Sequence, residues 1–136
     1  MRRARLPVLL LLAVLLLASL TAAPSFAECP PALDLTWGQA GSGPGSFEGP
    51  YGIRSDENSN LYVADIRNNR IQKFSSSGSF LTEWGNFGAA PGQFNAPVTT
   101  CIDNGGYVHV PDSSNNRIQK FTDSGTFVLM WGTLGS

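Results

Sequence analysis

Short bursts of alternating apolar and polar residues run along most of the chain. In Leu61–Asp65, Leu61 and Val63 alternate with Tyr62, which predicts a strand with Leu61 and Val63 on one face and Tyr62 on the other. The same reading predicts strands over Pro50–Ser55, Arg70–Phe74 and Phe80–Trp84. Polar turns separate them: "DENSN" after Ser55 and "SSSG" after Phe74, where Gly78 is free to take a positive φ. Between Asp65 and Arg70 lie only residues 66–69, a hairpin loop. Asn68 and Asn69 in it tolerate left-handed backbone and can bond to nearby main chain.

The pattern then repeats. Trp37, Trp84 and Trp131, each followed by Gly, are spaced 47 residues apart both times. Aligned without gaps at that offset, residues 38–84 and 85–131 share 20 of 47 positions. A period in the forties without a helical pattern points to one four-stranded sheet per repeat, as in propeller blades. The second repeat is expected to follow the same script, with "NGG" at 104–106 and "DSG" at 123–125 as its turns. The fold class is therefore all-β: two full antiparallel four-stranded propeller blades over 38–84 and 85–131. "LDLTWG" at 33–38 aligns with "FLTEWG" at 80–85, which predicts that Leu33–Trp37, within a 28–37 leader, is a lone fourth strand. Residues 132–136 start a third repeat, so the propeller is expected to be incomplete. It is read either as a piece of a longer propeller or as a two-blade chain that self-associates through its open blade faces.

The densest identity lies between "DIRNNRIQKF" at 65–74 and "DSSNNRIQKF" at 112–121, identical at eight of ten positions. Asp65 and Arg70 stand at opposite feet of the loop, close enough to pair, and Asp112 and Arg117 do the same. Shared letters (Asp65, Asn68, Asn69, Arg70; Asp112, Asn115, Asn116, Arg117; and the three tryptophans) fit maintenance of the fold. Together with Leu61–Asp65, Gly78 and the Trp-Gly step, they resemble the NHL repeat over about Leu33 to Gly132. The resemblance implies a β-propeller, commonly of six blades. NHL members include amidating lyases, RNA- or protein-binding domains of ubiquitin ligases, and extracytoplasmic sensor domains, so the resemblance implies fold well and function poorly.

Residues 1–27 read as a secretory signal peptide. Arg2, Arg3 and Arg5 precede the apolar run Val8–Leu20, and Ser25-Phe26-Ala27 offers small residues for cleavage after Ala27. An uncleaved N-terminal anchor is the alternative. A lipoprotein reading would use Cys29, but Glu28 stands where a small residue is wanted. Removing those three arginines leaves six Lys and Arg against ten Asp and Glu, a net charge of −4. Nucleic-acid binders carry a positive excess. A secreted or extracytoplasmic protein with no nucleic-acid partner, and no membrane span after cleavage, is expected. Export permits a Cys29–Cys101 disulfide; a buried free Cys101 is the alternative.

Catalytic chemistry is sparse. His109, the single histidine, replaces Tyr62 at the aligned position and reads as a surface or packing residue. It cannot supply the several histidines that the zinc-using lyases of the resembled family require. No cysteine cluster, nucleophile elbow or P-loop is present, and no catalytic, metal or cofactor site is assigned. Asp65 and Asp112 read as hairpin anchors before calcium ligands. Arg70, Lys73, Arg117 and Lys120 recur in strand three of each blade beside acidic residues, which favours structural pairing over RNA contact.

In an up-and-down blade, the loops between strands two and three emerge beside the blade-to-blade crossovers, here Gln39–Gly49 and Asn86–Ala96. That gathers the unrepeated residues Ile66, Arg67, Phe87, Ser113 and Ser114 on one face. Variable loops on a rigid scaffold carry binding. The expected function is a non-catalytic binding scaffold for a protein, peptide or glycan. The alternative is a piece of a lyase- or lactonase-like propeller enzyme whose catalytic residues lie in other blades.

Overall fold

A computed structural model describes residues 36–132. Two four-stranded antiparallel sheets make up nearly all of it. The first has the order β3(Pro50–Ser55), β4(Leu61–Asp65), β5(Arg70–Phe74), β6(Phe80–Trp84). A two-residue pair, β1(Gln39–Ala40) and β2(Ser46–Phe47), runs parallel in the crossover that precedes it. The second sheet is β7(Cys101–Ile102), β8(Val108–Asp112), β9(Arg117–Phe121), β10(Phe127–Trp131). Each sheet is a simple meander, and the four strands expected in the first repeat fall on the residues the alternation predicts.

The register sorts each blade into two faces. Ala64, Ile71 and Trp84 stand opposite one another across three strands, and Tyr62 and Lys73 lie on that same face. Val63, Gln72 and Glu83 occupy the other face, with Phe74 and Phe80. Tyr62 and Val63 do alternate as expected, but both are buried: Tyr62 in the core between the sheets, and Val63 on the opposite face in a groove that Trp37 and Phe47 also line. Tyr62, Ala64, Ile71 and Trp84 meet Phe94, Val108, Val110 and Phe121 to form the core between the sheets.

The tryptophan step organises that core. Trp84 lies 5.9 Å from Phe121 and 6.2 Å from Tyr62, centroid to centroid. Its indole lies on Gly125, where a Cβ would come within 2.7 Å of the ring. Gly125 also holds φ +89°, which favours glycine independently. One repeat earlier, Trp37 packs 4.5 Å from Phe74 and lies on Gly78 in the same way. Nearer the first strands, Gly52 admits Thr99 of the next blade; a Cβ there would fall 2.6 Å from the Thr99 Cα.

Three expectations change. Trp37 is not in a strand, and Leu33–Asp34–Leu35 lie outside the described residues. The second blade also departs from the script. Its first strand is only Cys101–Ile102, with an isolated bridge from Pro97 to Asp112 further back. Pro111, which has no N–H to give, replaces Ala64 on the partner strand; Pro97 is no difference between the blades, since Pro50 stands at the same place in the first and pairs with Asp65 within a six-residue strand. Finally, Cys101 is exposed and carries a free thiol rather than lying buried. It stands opposite His109 on the outer face of the second sheet, which nothing covers among the described residues. Cys29 and the signal segment lie outside those residues.

The step predicts unequal tryptophans. Trp84 is 9% exposed and Trp131 is 43% exposed. Trp84→Ala is expected to cost about 3–5 kcal/mol of stability, and Trp131→Ala under about 1 kcal/mol. Urea unfolding of the dilute protein, followed by far-UV circular dichroism, compares the two. Equal losses would contradict the packing.

Candidate functional site

The repeated ten-residue phrase builds a buried polar frame at one end of each sheet. Asp65 ends β4 and is fully buried. Its Oδ1 accepts the Glu48 backbone N–H at 2.8 Å. Its Oδ2 accepts from Asn68 Nδ2 at 2.8 Å, Arg70 Nε at 3.0 Å and Gln72 Nε2 at 3.2 Å. Arg70 also reaches the crossover: Nη1 donates to Ser42 O at 2.7 Å, and Nη2 to Gly43 O at 3.0 Å and Ser46 O at 2.8 Å. Gln72 closes the ring, accepting from Gly45 N–H at 2.9 Å and donating to Ser46 O at 2.8 Å.

The second blade reproduces the frame. Asp112 accepts from Asn95 N–H at 2.7 Å, Asn115 at 2.9 Å, Arg117 Nε at 2.7 Å and Gln119 at 3.1 Å. Arg117 donates to the carbonyls of Ala89, Ala90 and Gln93, and Gln119 accepts from Gly92 N–H at 2.8 Å. One partner differs. Arg70 also meets Glu83 Oε2 at 2.8 Å, whereas Arg117 finds the sulfur of Met130 there.

The asparagines divide the labour that sequence reading assigned to both. Asn69 and Asn116 take the left-handed conformation, each at φ +53°. Asn68 and Asn115 act through their side chains, bridging the aspartate to the carbonyls of Gly41 and Gly88. Gln72 and Gln119 were missed by that reading. Their signal was an identical polar residue two positions after the repeated arginine, on the same face of β5 and β9.

The frame presents the unrepeated residues. The Ile66 and Arg67 N–H groups bond to the carbonyls of Gly49 and Glu48, and those of Ser113 and Ser114 to Ala96 and Asn95. Each loop therefore sits against the crossover that precedes its own blade. Asn69 Oδ1 accepts the Ala96 N–H at 3.0 Å, and Ser113 Oγ donates to Ala96 O at 3.0 Å. These two bonds join the loops of both blades into one surface. Arg67, Ser113, Ser114 and Phe87 are exposed on it, Phe87 by 68%, while Ile66 is half-buried.

The four strand-three cations are all engaged. Arg70 pairs with Asp65 and Glu83, Arg117 with Asp112. Lys73 crosses to the next blade, reaching Asp123 Oδ2 at 3.1 Å. Burial lowers the Lys73 pKa, but bonding to Tyr62 and Asp123 outweighs it, and the net shift is upward. Lys120 turns back to Asp103 Oδ2 at 3.0 Å and lies 4.0 Å over the Tyr107 ring.

His109 Nε2 meets that same Asp103 oxygen at 2.9 Å, and its ring stands edge-on to Trp131 at 5.6 Å. The His109 bond, then the Tyr107 backbone N–H and Lys120, hold the Asp103 carboxyl well below the carboxylate range. At the end of the sheets opposite the frame, a cleft of about 330 Å³ is lined by Asp56, Glu57, Asp103 and Asp123 among others. Among the described residues, no three His, Cys, Asp or Glu side chains are arranged to hold a metal ion. No helix among them is long and apolar enough to cross a membrane.

No family model matches the chain. Over 49 residues it is 43% identical to protein lin-41 of Caenorhabditis elegans, a stretch covering 36% of this chain and 4% of that protein. Among solved structures, the exported protein BF0058 of Bacteroides fragilis superposes with a TM-score of 0.60 at 21% identity, over 74% of this chain and 28% of that one. A streptogramin B lyase gives 0.52 at 21% identity, over 63% of this chain and 27% of that one. Virginiamycin B lyase of Staphylococcus aureus gives 0.51 at 21% identity, over 64% and 28%. The chain spans about a quarter of the length of these structures. The fold they share with it is β-propeller-like.

The Asp103 pairing predicts an acid-side effect. A carboxyl depressed below its ordinary value of 3.8 stabilises the fold above that pH, and the contribution fades as pH falls below it. Asp103→Asn lacks the contribution throughout. The difference in melting temperature between wild type and Asp103→Asn should be present at about pH 5 and shrink as pH falls below roughly 4. A difference independent of pH down to about 2.5 would refute the pairing.

Proposed function

We propose that the chain is an exported, NHL-type propeller scaffold that binds a protein, peptide or glycan through the loop surface carrying Ile66, Arg67, Phe87, Ser113 and Ser114. The observation that carries this reading is the contrast on that surface. A buried frame repeated almost bond for bond holds up residues that differ between the repeats. A scaffold conserves the positions that fix the backbone and varies those that meet a partner. Phe87 supplies apolar area and Arg67 a planar donor, the side-chain types that anchor recognition.

The NHL-type assignment draws on the Asp-x-x-Asn-Asn-Arg-Ile-Gln phrase and on the match to lin-41, which is about one repeat long. Export draws on the leader residues and on the likeness to BF0058. Nucleic acid is not the proposed partner, because the basic residues of the repeat are committed to Asp65, Glu83, Asp112, Asp123 and Asp103.

Screening the purified protein against glycan and peptide arrays tests the reading. The wild type should give discrete ligands. The double variant Arg67→Ala/Phe87→Ala should lose at least about ten-fold in affinity for them, with its urea midpoint unchanged. Ligands retained at full affinity by the double variant would place binding elsewhere and overturn the assignment.

A further inference from the structure

We propose that copies of this chain bind one another head to tail, the outer face of the second blade of one copy seating on the outer face of the first blade of the next. This inference rests on the sheet geometry and is independent of the loop surface.

The contact already exists once within the chain. Between the two sheets, the donating face carries Tyr62, Ile71, Lys73 and Trp84. The receiving face offers Phe94, Val110, Phe121 and Gly125. At the 47-residue offset, the outer face of the second blade carries His109, Ile118, Lys120 and Trp131 in the donor positions. The outer face of the first blade carries Phe47, Val63, Phe74 and Gly78 in the receiver positions. One chain therefore holds both halves of an interface it has itself formed.

The outer faces are open to different degrees. Trp131 is 43% exposed, and Leu129 on the same face of β10 is 45% exposed. On the receiving side, Tyr51 is 78% and Ile53 47% exposed, along an apolar groove of about 280 Å³ that Trp37, Phe47 and Val63 also line. The aromatic slot at the head of that groove is filled from within: Trp37 lies 4.5 Å from Phe74 and 5.9 Å from Phe47. Trp131 of a second copy must displace it. Trp37 thus acts as a tethered competitor, and its presence lowers the apparent affinity between copies.

The contact is heterologous. A head-to-tail dimer keeps one unused donor face and one unused receiving face, so association continues until a ring closes. It is also apolar. Lys73 gains Asp123 across the internal interface, but Ser76 stands at the matching place in the first blade, so Lys120 gains no such partner. Association should accordingly depend little on salt.

Sedimentation equilibrium of the purified protein under reducing conditions, over a range of concentrations, is the test. The wild type should form species heavier than a dimer. Trp37→Ala should assemble at about ten-fold lower concentration, and Trp131→Ala should stay monomeric with its sheet signal intact. His109 is the chain's single histidine and takes the place of the fully buried Tyr62. Its imidazole proton resonances should therefore shift with concentration in the wild type and not in Trp131→Ala, a readout that needs no stable Trp37 variant. A monomer at all concentrations, assembly that stops at a dimer, or assembly that survives Trp131→Ala would each overturn the proposal.

Discussion

A carboxylate without solvent sits at the foot of each loop, and the position of nearly everything else follows from how it is satisfied. Burying such a charge unpaired costs on the order of several kcal/mol. Asp65 and Asp112 are fully buried, and each is met by a backbone N–H, an asparagine, an arginine and a glutamine. The arginine in turn is held by carbonyls of the crossover. The hairpin and the crossover are thereby one rigid body, although they lie 24 to 28 residues apart in sequence. The crossover leads into the next first strand, so the frame also sets where each blade begins relative to the last.

The second dependence is apolar. Trp84 closes the first sheet and packs on Gly125 and Phe121 of the second, as Trp37 packs on Gly78 and Phe74 of the first. This step gives the repeat its direction: every blade has a donating face and a receiving face. It also explains why equivalent residues behave differently. Trp84 and Tyr62 are core residues, whereas Trp131 and His109, at the same places one blade later, lie on a face that no described residue covers. Cys101 is exposed because it shares that face.

The strands of the first repeat, the hairpin, its Asp–Arg pair and the gathering of loops beside crossovers were legible in the sequence. A 47-residue repeat states each of them twice, and turn chemistry and strand alternation are local properties. What stayed hidden depends on which groups meet at long range. The bonds of Gln72 to Ser46, Lys73 to Asp123 and Asn69 to Ala96 span 26, 50 and 27 residues. The shortened first strand of the second blade had a readable signal in Pro111, which takes the place of Ala64, but its effect required knowing that this residue lies in the strand beside the first one. Of the lone strand expected over Leu33–Trp37, only Thr36 and Trp37 are among the described residues, and neither lies in a strand.

The central claim, that the buried aspartates lock crossover to hairpin, predicts a specific pattern of amide hydrogen exchange. The Glu48, Asn95, Gly45 and Gly92 N–H groups lie in irregular, partly exposed segments, yet each ends on a side chain of the frame. They should exchange as slowly as the Val63 and Val110 amides within the sheets, opening only when the blade unfolds. Exchange at the rate of the neighbouring free loop amides would show that the frame does not hold the crossover, and would contradict the account.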